Sequence, residues 1–175
     1  MDEGERLGEV LAAVEDSNLP PLTLQRFQPE EESEALSDFA AIVDLWRERR
    51  GGAAVPDWND MDFSDFRGWH AQLMLSKFET DEPDPTFRLA GERVTELLGF
   101  PMQNHRFSEL APRFYALQFR DHFREIRNEG LIGLTSGKLP AKGRAHIFLR
   151  ILELPFRDGG DKVERILHVL SKAVA

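Results

Sequence analysis

Apolar residues recur along this chain at two different spacings, and each change of spacing marks a hand-over between one kind of element and another. Over 1–16, Leu7, Val10, Leu11 and Val14 fall on one helical face behind acidic residues that suit a helix start, so a short amphipathic helix is predicted there. The stretch NLPPLTLQRFQPEEE (18–32) is interrupted by prolines and closes on acids, and it reads as a linker, extended around Pro20 and Pro21. A stronger helical stripe follows over 31–50. Leu36, Phe39, Ile42, Val43 and Trp46 lie three and four apart, acids crowd the first turn, and Arg47, Arg49 and Arg50 precede Gly51 and Gly52. The segment 51–69, with Pro56, reads as an irregular connection.

From residue 70 the period shortens. AQLMLSKFE (71–79) and 86–90 predict two strands of a hairpin joined by the loop TDEPDP. Within FRLAGERVTELLGF (87–100) the alternation stops at Gly91, and Val94, Leu97 and Leu98 resume at helical spacing until Gly99. A longer helix over 112–129 carries Ala116, Phe119, Phe123 and Ile126 on one stripe and ends at Gly130. The last third is sheet. LIGLTSGKLPA (131–141) has glycines and a proline that suit an edge strand, RAHIFLRILELPFRD (144–158) is the longest strand, and DGGDK turns into VERILHVLSKA (163–173). That order predicts an α+β domain: a five-stranded antiparallel sheet with helices over one face, plus an N-terminal helical extension. Divided along the chain, 1–30 is N-terminal helix and linker, 31–52 is an amphipathic helix packing on the domain or on a dimer partner, and 53–175 is the domain itself.

Composition narrows the function. With 175 residues and 41% hydrophobic content, one compact core is expected. A net charge of −9 and no long Lys/Arg run argue against nucleic acid and against anionic membrane surfaces. No apolar run approaches membrane-spanning length, and the acidic start MDEGERLGEV is unlike a secretory signal, so a cytoplasmic location is expected. The chain has no cysteine, which removes disulfides, thiolate nucleophiles, covalent c-type haem and cysteine-ligated zinc.

The pieces IVDLWRERRGG, FRLAGERVTELLG, HRFSEL and LELPFRDGGDKVERIL, in this order and spacing over about 40–175, resemble a PAS domain, of the small single-domain type common in alphaproteobacteria. The resemblance implies a PAS-like sheet whose short helices close a cavity, with Gly91 at the rim where the backbone must turn. It implies a bacterial signalling module that binds a small ligand. With no output domain attached, its signal is expected to leave through contacts with a second copy or another regulatory protein. Chromophores held on a cysteine are excluded. A haem-binding PAS domain takes its axial ligand from the region of His122, but a lone histidine does not support haem, and nothing favours flavin.

Candidate ligand contacts are Phe119, His122 and Phe123 on the long helix, Arg88 in the second strand, and His146, Phe148 and Arg150 on one face of the longest strand. Leu152 and Leu154 share that last face, while Ile147, Leu149 and Ile151 make the other. Both faces are mostly apolar, so the pattern leaves open which one lines the pocket. A small anionic or polar-headed metabolite is expected, met by Arg88 or Arg150. The competing explanation is that these arginines pair with acids such as Glu153 or Glu92. His105 and His168 have no second ligand at metal spacing, and no metal site is expected. The chain carries no GxSxG elbow, HExxH or Walker loop, and GGAA and DGGDK are turns that do not lead into a helix start, so it is not read as an enzyme. The alternatives are a ligand-free interaction module and, behind it, an enzyme on a cone-shaped α+β fold.

Overall fold

The alternating segments pair into one antiparallel sheet. The computed structural model describes residues 22–99, 101–111, 113–138 and 146–172; the helix expected over 1–16 lies outside them. The strands are β1 (Leu22–Phe27), β2 (Leu73–Lys77), β3 (Thr86–Ala90), β4 (Ile132–Lys138), β5 (Phe148–Arg157) and β6 (Val163–Leu170), in the order β1-β4-β5-β6-β2-β3. The helices are α1 (Ala40–Arg50), α2 (Glu92–Leu98), α3 (Phe107–Leu110) and α4 (Arg113–Glu129).

The sheet has one strand more than expected. Residues 22–27, read as linker, form β1 and pair with β4 from Leu22 opposite Gly137 to Phe27 opposite Ile132. Leu22 and Leu24 alternate with Thr23 and Gln25, and the extended backbone finds partners for its polar groups on β4. β4 is therefore an interior strand, not the edge that its glycines suggested.

The helix expected over 31–50 divides in two. Ser33 caps a 3-10 turn (Glu34–Phe39) by accepting from the Ala35 amide at 3.2 Å, and α1 continues from it. Leu36, Phe39, Ile42, Val43 and Trp46 are all buried, and Trp46 Nε1 donates to the Pro155 carbonyl at 2.9 Å. The side chains of this stripe share one buried cluster with Leu152, Leu154 and Phe156 of the sheet. The arginines at its end are tied down as well: Arg47 to the Pro29 carbonyl at 2.8 Å, Arg49 to Asp65 at 2.7 Å and Arg50 to Glu30 at 2.7 Å.

The two faces of β5 have different covers. Leu152, Leu154 and Phe156 lie on the side of α1, with Arg150, whose guanidinium sits over the Phe39 ring. Leu149, Ile151 and Glu153 lie on the other side: Leu149 and Ile151 beneath α2 and α3 with Met74, Phe87, Val94, Leu97, Met102, Leu110 and Leu170, and Glu153 against His122 of α4. Gly91 begins α2 with φ −69°, so no left-handed conformation is needed. Close approach is what excludes a side chain: its amide donates to the Leu73 carbonyl at 2.7 Å, and a Cβ would collide with the carbonyls of His70 and Ala71.

A buried carboxylate and two histidines beneath helix α4

Directly paired residues of neighbouring antiparallel strands stand side by side on one face. The row Gly133, Glu153, His168 and Met74 runs across β4, β5, β6 and β2 in this way. Thr135 shares the face one step along β4, and Ser76 one step along β2. All of it faces α4, whose stripe of Phe119, Phe123 and Ile126 brings His122 down onto the sheet.

The contacts made there are short and buried. His122 Nε2 lies 2.6 Å from Glu153 Oε2, and Thr135 Oγ1 donates to Glu153 Oε1 at 2.6 Å. His122 is 0% exposed, Glu153 2% and His168 3%. On its other side His122 Nδ1 is 3.2 Å from Arg26 Nη1, while Arg26 Nε meets Glu125 at 2.6 Å. Arginine has no acceptor, so Nδ1 accepts and Nε2 carries the proton that it donates to Glu153. Glu153 then accepts at both oxygens, as a carboxylate does. Gly133 is the residue that leaves room for this: a Cβ there would strike the Glu153 carboxylate, come within 2.5 Å of Ile126 Cδ1 and sit 3.1 Å from His122 Nε2.

His168 completes the cluster. Its Nε2 is 2.8 Å from Ser76 Oγ, and its ring touches Phe87 and Phe123 at centroid distances of 5.3 and 6.2 Å. Burial pushes its pKa down to about 4 against the opposing pull of Glu153, so it is neutral at pH 7. Above the polar row the rings of Phe107, Phe119 and Phe123 pack on one another, 4.5 to 5.5 Å apart. The arrangement places a water-shielded carboxylate and a neutral imidazole at the base of an aromatic wedge.

Three of the residues singled out from the sequence, Phe119, His122 and Phe123, come together here. Four do not. Arg88 points outward from β3 and is bound by Glu79, with Nε at 3.0 Å, and by Asn104 at 3.1 Å. Arg150 lies on the α1 side, bound by Asp38 and the Ala35 carbonyl, and Phe148 and His146 are exposed near it. The acids that pair with the two arginines are thus Glu79 and Asp38, not Glu92 or Glu153. Glu153, His168, Thr135, Ser76 and Arg26 were not singled out as site residues. The signal for Glu153 was a lone acid inside the apolar run FLRILELPF; for Arg26 there was none, because its strand was read as linker.

Among the described residues no group of three or more His, Cys, Asp or Glu side chains could hold a metal ion, and no helix is long and apolar enough to cross a membrane. A family model described as a PAS domain matches residues 34–171, most of the chain. The chain belongs to the PAS domain family. PAS domains are signalling modules of the sensor type, generally not enzymes, and the six-stranded antiparallel sheet with its helices is this one's version of the fold. No curated protein and no solved structure matches the chain. In this PAS domain the space between helices and sheet holds the His122, Glu153 and His168 cluster, while β1, which supplies Arg26, lies ahead of the matched segment.

Proposed function

We propose that this PAS domain is a cytoplasmic sensor that binds a small molecule between α4 and the sheet and passes the signal on by contact with another protein, a second copy or a separate regulator, without transforming the ligand. The observation that carries this reading is Glu153. A carboxylate taken out of water costs several kcal/mol, and an apolar side chain of similar volume in its place would often stabilise the fold. A charge kept in an aromatic wedge in spite of that cost favours a recognition role. The ligand that suits it has a flat or apolar body and a donor or cationic head. That replaces the anionic head expected from the arginines, since Arg88 and Arg150 face away from the wedge and are already paired.

Native mass spectrometry of the full chain tests the reading. A bound species that dissociates on denaturation and is lost in Glu153→Gln supports it. A bare mass, both as purified and after incubation with the small-molecule fraction of a cell extract, contradicts it.

A second reading, a ligand-free interaction module, is favoured by the ring contacts among Phe107, Phe119 and Phe123 and by the mutual pairing of His122, Glu153 and Thr135. In that reading the wedge is core, and only partner proteins are bound.

A further inference from the structure

Strand β1 is joined to the buried site by one side chain. It is an edge strand, hydrogen-bonded within the sheet to β4 alone, and of its six residues Phe27 is the buried one. Arg26 reaches from it to two acceptors on α4, Glu125 and His122, which lie one turn apart. The Glu125 pair is partly exposed, with Arg26 at 30% and Glu125 at 43%, and such pairs contribute little. The His122 contact leads inward. A carboxylate at residue 153 calls for the proton on Nε2, a proton on Nε2 leaves Nδ1 free to accept, and a free Nδ1 receives Arg26. If Oε2 of Glu153 is neutralised or taken up by another donor, the Arg26 contact alone is left to hold His122 in that tautomer. A proton on Nδ1 would then set two donors face to face at Arg26.

We infer that Arg26 is a positioning residue that ties β1 to the His122–Glu153 pair, so that the state of the pair sets how firmly β1 is held on the sheet. The polar and charged groups that face the pair are Thr135 from β4, His168 from β6, with Ser76 of β2 behind it, and Glu125 and Arg26 at the outer end. An edge strand suits this role because one neighbouring strand holds it in the sheet, with Phe27 as its buried anchor in the core. The coupling does not depend on a ligand being bound, and it stands or falls separately from the sensor reading.

The test uses the full chain and two readouts: amide hydrogen exchange, strand by strand, and the nitrogen chemical shifts of the His122 ring. Arg26→Met keeps the apolar stem and removes the donors. It is expected to speed exchange in β1 by about threefold or more while β5 and β6 are unchanged, and to leave the His122 ring in the Nε2–H form that Glu153 holds. Glu125→Gln removes the outer ion pair and should leave the tautomer as it is. Glu153→Gln should also speed exchange in β1, and adding it to Arg26→Met should produce no further change there. If Glu153→Gln loses its cooperative unfolding transition, Glu153→Met, which removes the acceptor of the His122 Nε2 proton without burying an amide, takes its place with the same expected outcomes. Unchanged exchange of β1 in Arg26→Met, a His122 ring still purely Nε2–H in Glu153→Gln, or effects on β1 that simply multiply in the double variant, would overturn the inference.

Discussion

His122 Nε2 and Glu153 Oε2 stand 2.6 Å apart in a region that water does not reach. In such a pair each member is what makes the other tolerable. His122→Leu leaves the carboxylate buried with Thr135 as its remaining donor in the cluster, and the expected loss is about 3–5 kcal/mol. The double variant His122→Leu, Glu153→Leu should regain most of it. Denaturant unfolding of the two single variants and the double one checks this. Additive losses would mean that the two side chains do not act as a pair.

Gly133 is required by the same geometry. A Cβ at that position has nowhere to go except into the carboxylate and Ile126, so Gly133→Ala should destabilise the fold by about 1–3 kcal/mol although alanine suits a strand no worse than glycine. If the melting temperature is unchanged, Glu153 does not lie over β4 as described.

The neutral state of His168 predicts an acid limb. Its folded pKa, about 4, is below the unfolded value of about 6.5, so as pH falls the unfolded chain takes up the proton first. The stability it contributes is complete above pH 6.5 and is lost between 6.5 and 4, on the order of 3 kcal/mol in all. Glu153 and His122 face it, so the comparison is made against His168→Gln, which does not titrate. The variant should lose less stability than the wild type over that window. Parallel curves would count against a buried neutral histidine.

Much of this was legible in the sequence, and the exceptions have physical causes. Gly91 marked the change from strand to helix, and the stripe of α4 placed His122 beside Phe119 and Phe123. β1 was missed because Pro20, Pro21 and Pro29 outweighed the short alternation between them, and a strand of six residues declares itself only through its partner. Arg150 was placed on the correct face of its strand, with Leu152 and Leu154. Alternation alone does not say which helices cover which face when both faces are apolar. Glu153 was weighed only as a surface partner for arginine. Period-2 spacing already grouped it with Ile151 and Leu149, and an acid in that company is the sequence mark of a buried polar group.

Gly91 and Gly52 should respond oppositely to a side chain. Gly91→Val pushes a branched Cβ into two backbone carbonyls and should cost about 1–3 kcal/mol. At Gly52 nothing lies within 4 Å of an added Cβ, and Gly52→Ala should stay within about 0.5 kcal/mol of the wild type. Thermal melts of both variants decide it. Equal costs would contradict the close approach of Gly91 to the chain at His70 and Ala71.

The claim on which the account depends is that input is read at Glu153 and not at the surface arginines. A thermal-shift screen of small aromatic amines, aromatic alcohols and aromatic carboxylates, run on the wild type, Glu153→Gln, Arg88→Met and Arg150→Met, tests it most directly. Binding to the folded state raises stability as RT ln(1 + [L]/Kd), so ten- to hundredfold saturation is readily seen. Amines or alcohols are expected to shift the wild type and both arginine variants but not Glu153→Gln. Shifts confined to carboxylates and abolished by Arg88→Met or Arg150→Met, or no shift with any compound, would contradict it.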